Sequence, residues 1–307
     1  MFFWDVSLMA KQTILLTGAT GFVGSHLLNY LVKNKYKIVI LKRSTSDISN
    51  IKKNIKRIST YDIDKQKIEV AFQNHKIDAV MHLATSYGKN KNYENLIQSN
   101  IIFGLNLIAL SIRYKVEVFI NTDSFFNKTG TIQSYLADYT TTKKHFLDWL
   151  YLRKGAIKIA NMKLHHVYGE ADSHDKFTMW LLRELSAGNQ AIELTSGAQL
   201  RDFIYVQDVA RAYEAVMLEK QNFDSMQEFN ISTGCKYTVK EFCSLLGYKI
   251  LKNKRNVQKV LLFGAKPDNP DEIMDVYNDN SALLKLGWRP EFDLESGLDS
   301  MITNTKG

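Results

Sequence analysis

The run ADYTTTKKHF places Tyr139 and Lys143 four residues apart. On a helix such residues share a face, so a phenol and an ammonium would point into one site. A free tyrosine titrates near ~10, and a nearby cation favours its phenolate. The pair could hand a proton to a carbonyl oxygen while hydride arrives at the carbon. Spacing alone is weak, because Tyr61/Lys65, Tyr87/Lys91 and Tyr248/Lys252 repeat it. Placement separates Tyr139 from the others. It opens a helix that follows the apolar run VEVFINT and a loop, which brings it to the carboxyl edge of a sheet, where ligands bind in open α/β folds. Thr122 and Ser124 in INTDSFFNK lie at the same strand end. Either hydroxyl could polarise the carbonyl; strand or turn capping is the plainer role for each.

These residues need a framework, and the first half of the chain supplies one. TILLT (13–17), KIVIL (37–41), DAVMHLA (78–84), VEVFINT (116–122) and KIANMKL (158–164) read as strands. SHLLNYLVKNK (25–35), NIIFGLNLIALSIRYK (100–115) and YTTTKKHFLDWLYLRK (139–154) read as helices between them. Alternation of this kind predicts an α/β fold, a Rossmann-type doubly wound parallel sheet with helices on both faces. After about residue 166 loop-like pieces mix with short helices, which predicts a smaller mixed α/β C-terminal substrate lobe. The threonines of YTTTK have low helix propensity, so packing must hold that turn.

TILLTGATGFVGSHLL sets Gly18, Gly21 and Gly24 in GxxGxxG spacing between the first strand and the first helix. In that context Gly18 permits the tight turn, Gly21 lets the backbone approach a pyrophosphate, and Gly24 allows close helix–strand packing. The helix N-terminus then offers free N–H groups to phosphate. NAD-binding sheets usually carry Asp or Glu at the end of the second strand. Here VILKRS puts Lys42, Arg43 and Ser44 there, which suits the 2′-phosphate of NADP(H). Asp62, after another predicted strand, could meet the adenine edge.

A chain of 307 residues with 45% hydrophobic content can bury a large core. The net charge of +8 comes from scattered lysines with no nucleic-acid motif, so it reads as a solvated surface that also favours an anionic substrate. Cys235 and Cys243 form no CxxC pair, and no His/Cys cluster offers metal-ligand spacing, so inert thiols and no metal are expected. The leading MFFWDVSLMAKQ lacks the marks of a secretory signal. No stretch is expected to approach the ~20 apolar residues that span a bilayer. The expectation is a cytoplasmic protein that binds neither nucleic acid nor membrane.

The motifs TGATGFVG (17–24), HLA (82–84), Asn100 in SNIIFGLNLI, YTTTK (139–143), HVYG (166–169) and RDFIYVQDVA (201–210) run in order over nearly the whole chain. Together they resemble the extended short-chain dehydrogenase/reductase family. The resemblance implies a Rossmann domain over 1–165, with 1–11 a leading tail. A substrate lobe would occupy 166–307, with some segments returning to the sheet. Around the glycine loop it implies cofactor contacts at Thr20, Phe22 and Val23, and beyond the later strands at Ile63, Leu83, Ala84 and Thr85. Asn100, Lys143, Leu164 and Val167 complete that set. It implies a nucleotide-sugar substrate held by Ser86, Tyr87, Thr122, Ser124, His166, Lys176, Phe177, Thr195 and Arg201, with Arg201 on the diphosphate. Likeness to the STDYVFDG run of dTDP-4-dehydrorhamnose reductases favours Thr122 as the catalytic hydroxyl, whereas alignment with UDP-galactose 4-epimerases selects Ser124. A homodimer through the helices 100–115 and 139–154 is a further implication.

Within the family, HLATSYG, NTDSFF, LHHVYG, TSGAQLRDFIYVQDV and FGAKPDNPDEIM…LGWRPEFD look like the reductases of CDP-4-keto-3,6-dideoxyglucose. That implies an NADPH-dependent 4-ketoreductase on a CDP-sugar. Either configuration at carbon 4 stays open, as does a related 4-keto-6-deoxyheptose nucleotide. The rivals are a nucleotide-sugar epimerase or dehydratase and a noncatalytic NADP(H)-binding sensor. The chain departs from the family pattern at His166, where Asn is frequent, and at Glu170, where Pro is frequent.

Overall fold

The computed structural model describes residues 12–88, 92–127 and 136–306. The leading tail 1–11 and Lys91 lie outside the described residues. The chain alternates β1 (Thr13–Thr17), α1 (Phe22–Lys33), β2 (Lys37–Lys42), β3 (Ser59–Asp62), α2 (Glu69–Asn74) and β4 (Ala79–His82). It continues through α3 (Tyr93–Ile97), α4 (Phe103–Arg113), β5 (Val118–Ser124), α5 (Ala137–Tyr151) and β6 (Lys158–Leu164). Then come β7 (His166–Tyr168), α6 (Phe177–Ser186), β8 (Ile192–Leu194), β9 (Leu200–Arg201), β10 (Phe203–Tyr205), α7 (Val206–Leu218) and β11 (Met226–Ile231). The last elements are β12 (Tyr237–Thr238), α8 (Val239–Leu251), α9 (Lys254–Val260), β13 (Leu261–Phe263), α10 (Ser281–Lys285) and α11 (Leu294–Lys306).

Seven strands form one parallel sheet in the order β3-β2-β1-β4-β5-β6-β11. Every residue of β1, β4 and β5 is buried, as a parallel sheet covered on both faces requires. The order reverses between β1 and β4, and that switch point opens a crevice at the carboxyl ends of the strands. Of the elements beyond residue 165, α7 and β11 belong to this body. Tyr213, Val216 and Phe229 join Ile14, Met81 and Met162 in one core cluster. A second core, around Leu181, Phe203, Phe242 and Leu298, builds the smaller lobe from α6, α8 and α11.

The helix expected over 100–115 begins earlier. A π-helical turn at Gln98–Ile102 joins α3 to α4. The whole run Tyr93–Arg113 is 21 residues, and its most apolar 18-residue stretch has mean hydropathy 1.5, long and apolar enough to cross a membrane by length and composition. This corrects the expectation that no such stretch exists. In the fold the run packs through Leu107, Ile108 and Gly104 against the sheet and α5. A Cβ on Gly104 would sit 2.5 Å from the Phe146 ring, so this glycine lets α5 approach and fixes where its first turn lies.

The threonines of that first turn are held by hydrogen bonds. Thr140 Oγ1 donates to the Leu136 and Ala137 carbonyls, and Thr142 Oγ1 to that of Tyr139. Asn100, expected at the cofactor, is buried behind the crevice. Its amide clamps Ser86 N–H, Ser86 C=O and Thr142 Oγ1, tying the loop after β4 to α5.

Candidate active site

The crevice measures about 2400 Å³. Its floor is the loop between β1 and α1. Gly18 has φ +70°, and a Cβ there would lie 2.6 Å from Ala84 N. A Cβ on Gly24 would lie 2.0 Å from the Gly18 carbonyl oxygen. Neither position tolerates a side chain, so the loop can lie flat under a ligand. Helix α1 starts with no side-chain cap and no acidic residue in its first turn. Its N-terminus therefore offers free N–H groups to phosphate, and these features fit a dinucleotide.

Thr20, Phe22, Val23, Ile63, Leu83, Ala84, Thr85, Leu164 and Val167 line the same crevice, as expected from their positions. At the end of β2, Lys42 and Arg43 also line it. Lys42 Nζ donates to the Arg43 carbonyl at 3.1 Å and lies 3.8 Å from Asp62. The Arg43 guanidinium makes no hydrogen bond or ion pair among the described residues. Ser44 and Asp62 are placed differently from expectation. Ser44 Oγ donates to Asp62 at 2.8 Å, and the two face each other outside the crevice lining.

At the far wall Lys143 Nζ donates to the Thr122 carbonyl at 2.8 Å and stands 5.9 Å from the Tyr139 ring centroid. Thr122, the favoured hydroxyl on sequence grounds, has its Oγ1 2.6 Å from Tyr213 OH of α7. Ser124, whose Oγ accepts from the Phe126 N–H at 3.2 Å, is the hydroxyl that acts on the Tyr139 phenol, favouring its ionised form. The strand end thus separates the two: Thr122 is engaged by Tyr213, and Ser124 is the one that acts on the phenol.

Burial holds the Tyr139 phenol well above its usual range, with Tyr87 and Asp123 adding to the rise and Ser124 opposing it. Burial outweighs any lowering by Lys143, whose Nζ stands 5.9 Å from the ring centroid. Burial also takes Lys143 down to about 8, with Asp123 opposing. The site therefore holds a protonated phenol as a ready acid.

The roof is built by the loop after β4 and by the lobe. Tyr87 stacks on Tyr139, and Lys176, at the cap of α6, has its Nζ 4.3 Å from the Tyr87 ring centroid. Ser86, Phe177 and Thr195 line the opening beside them. His166 packs on Phe125 and Phe203 with its Nδ1 unpartnered, and burial keeps its imidazole neutral, well below the usual range. Arg201, expected to face a diphosphate, is only 2% exposed. It pairs with Glu272 and donates to the carbonyls of Leu200 and Ile273. A diphosphate would have to compete with that carboxylate.

Sequence reasoning missed Asp123, Asn161, Tyr213 and Glu272. For Asp123 there was a signal, since an acidic residue near the end of a fully buried strand demands a partner. Glu272 lies 71 residues from Arg201, with no pattern that links them.

The family model described as the NAD dependent epimerase/dehydratase family matches residues 14–232. The chain is 32% identical over 296 residues to CDP-abequose synthase of Salmonella typhimurium, covering 95% of this chain and 98% of that one. It is 25% identical to a putative UDP-glucose 4-epimerase of Methanocaldococcus jannaschii, over 94% and 97% of the two chains. Among solved structures, the UDP-glucose 4-epimerase of Thermotoga maritima superposes with a TM-score of 0.79 at 23% identity, covering 96% of this chain and 99% of that one. The UDP-glucuronic acid 4-epimerase of Bacillus cereus, solved with UDP-glucuronic acid and NAD, gives 0.79 at 24% identity with the same coverage. Both structures share the fold.

Proposed function

The chain belongs to the NAD dependent epimerase/dehydratase family of extended short-chain dehydrogenases/reductases, and from that premise we propose that it is an NADPH-dependent reductase of a CDP-linked 3,6-dideoxy-4-ketohexose, giving CDP-abequose. What supports this reading most is the buried, protonated Tyr139 phenol, on which Ser124 acts, in a crevice floored by the glycine loop of a chain 32% identical to a CDP-abequose synthase. The retained Tyr139/Lys143 pair speaks against a noncatalytic sensor.

The nicotinamide cofactor, held over Gly18, Gly21 and the α1 N-terminus, supplies hydride when bound. The protein handles the oxygen. Ser124 Oγ orients the 4-keto group, and Tyr139 gives its phenolic proton to the carbonyl oxygen as carbon 4 gains hydride. The phenolate then recovers a proton from solvent. Lys143, as an ammonium, stabilises the transient phenolate. His166 and Lys176 line the path of the sugar and its diphosphate. The same reading carries a cytoplasmic homodimer in lipopolysaccharide sugar synthesis, its faces the exposed Ile97, Ile102, Trp149 and Leu152 of α3 to α5.

The test incubates the protein with NADPH and CDP-4-keto-3,6-dideoxyglucose and assigns the product at carbon 4 by NMR. Stoichiometric NADPH oxidation with a CDP-abequose product is expected. Tightly retained NAD and interconversion of 4-epimers without net NADPH use would instead make the protein an epimerase.

A further inference from the structure

A row of polar side chains crosses the sheet beneath α5. Asp123, between the two hydroxyls of the β5 end, is 2% exposed. Its Oδ1 accepts from the Ser124 N–H at 2.8 Å. Its Oδ2 accepts from Asn127 Nδ2 and Asn161 Nδ2, each at 2.9 Å. Asn161 is fully buried and accepts from Asn121 Nδ2 at 2.7 Å. Its own amide also reaches Glu228 Oε2 at 3.3 Å. Glu228 accepts from Tyr151 OH and pairs with Lys163. Asn121, Asn161 and Glu228 are direct cross-strand partners on β5, β6 and β11. The row therefore runs from the crevice wall to the outermost strand.

The donor set defines what Asp123 is. Burial raises its carboxyl above the usual range, and three N–H groups converging on its two oxygens oppose that rise: a carboxylate accepts all of them, whereas a carboxylic acid would point a proton at a donor. Lys143 lies on the adjoining side of the same strand end, 6% exposed, with its ammonium on the Thr122 carbonyl. A buried ammonium needs a counter-charge. His82 of β4 also faces it, but burial among Phe103, Phe119 and Phe146 keeps that imidazole neutral, down at about 3. Tyr139, and Tyr87 from the loop after β4, are phenols held above their usual range. Among the described residues, Asp123 is the charge acting on Lys143.

We propose that Asp123 is a positioning residue that keeps Lys143 an ammonium in the crevice, and that the Ser124 N–H, Asn127 and Asn161 hold Asp123 in its carboxylate form, with Glu228 orienting the Asn161 amide. This deepens the reading of the Tyr139/Lys143 site given above and rests on it for its catalytic meaning. The charge pairing itself is a property of the protein without cofactor.

The experiment follows the side-chain resonances of lysine-labelled protein, free of cofactor, across pH. Lys143 is assigned by comparison with Lys143→Met. Lys143 should titrate near 8 in the wild type, and about one pH unit or more lower in Asp123→Asn. Asp123→Glu should restore the wild-type value, and Lys163 should not move in either variant. A role confined to packing would lower the melting temperature and leave the Lys143 titration in place, which would overturn the proposal. Where Asp123→Asn fails to fold, the wild type still decides: the side-chain carboxyl resonance of Asp123 in aspartate-labelled protein should be that of a carboxylate throughout the Lys143 titration, and a carboxyl found protonated at neutral pH overturns the proposal. Failure of the wild type to oxidise NADPH with any keto sugar would sink the proposed function and leave this titration standing.

Discussion

The Tyr87 ring stacks on the Tyr139 ring, with centroids 4.8 Å apart and planes 27° from parallel. Tyr139 is 5% exposed and Tyr87 50%, so the outer ring shields the inner one. With Lys176 over Tyr87, the loop after β4, the first turn of α5 and the cap of α6 make one column at the entrance. An aromatic pair of this kind is worth about 0.5–1.5 kcal/mol beyond its buried area. Tyr87→Ala should therefore raise KM for the nucleotide sugar about 2- to 10-fold, while Tyr87→Phe stays near wild type. Steady-state NADPH oxidation reads both. Equal KM values for Tyr87→Ala and wild type would remove the column from substrate positioning.

Ser124 and Thr122 should separate cleanly. Ser124 acts on the phenol, so Ser124→Ala should lower kcat by about 10²-fold, the usual loss for one donor at a developing oxyanion. Thr122→Val leaves the buried Tyr213 hydroxyl without its 2.6 Å partner and should cost about 1–3 kcal/mol of stability with little change in kcat. Thermal melts and single-turnover rates on the two variants measure the split. The reverse pattern, kcat lost in Thr122→Val and kept in Ser124→Ala, would return the catalytic role to Thr122.

This distinction shows where the sequence was legible. The glycine loop, the strands and the placement of Tyr139 followed from local pattern, because buried parallel strands and βα turns carry strong signals. The choice between Thr122 and Ser124 depended on Tyr213, which lies 91 residues further along and arrives from α7. Arg201 was legible as a cation at the site, but its pairing with Glu272 was not, since nothing local announces a partner 71 residues away. Asn100 was read as a ligand contact, and no local pattern announced the clamp it forms between the loop after β4 and Thr142. Residue type gave the chemistry in each case, and long-range contact decided its use.

Acid should loosen the fold through its buried imidazoles. His82 makes a 2.8 Å contact with Thr17 Oγ1 and sits among three phenylalanines. Burial takes it down to about 3 and His165 down to about 4. The unfolded chain binds protons at these sites below the ordinary 6.5, while the folded chain does not. Stability is therefore undiminished by them above pH 6.5 and falls as pH drops toward their folded values. Between pH 6.5 and 4, His82 alone should account for about 3 kcal/mol. The check is the slope of melting temperature against pH, which should be shallower in His82→Gln than in the wild type. Parallel slopes would rule out His82 as a source of the loss.

Cofactor choice should turn on Arg43 and not on Lys42. Lys42 is engaged by Asp62 and by the Arg43 carbonyl, whereas the Arg43 guanidinium has no partner among the described residues. The planar guanidinium fork suits the oxygens of a 2′-phosphate, and no carboxylate ends β2 to accept the ribose hydroxyls of NAD. A hydrogen bond to a charged group is worth about 1.5–3 kcal/mol, so Arg43→Ala should lower kcat/KM for NADPH about 10- to 100-fold. NADH, which lacks the phosphate, should be used at an unchanged rate, and Lys42→Ala should discriminate far less. Raising the ionic strength should erode the wild-type preference for NADPH and leave Arg43→Ala flat, because an exposed ion pair is screened. If Arg43→Ala weakens NADPH and NADH equally, the residue is a solvated cation at a strand end, and cofactor selection lies elsewhere along the loop.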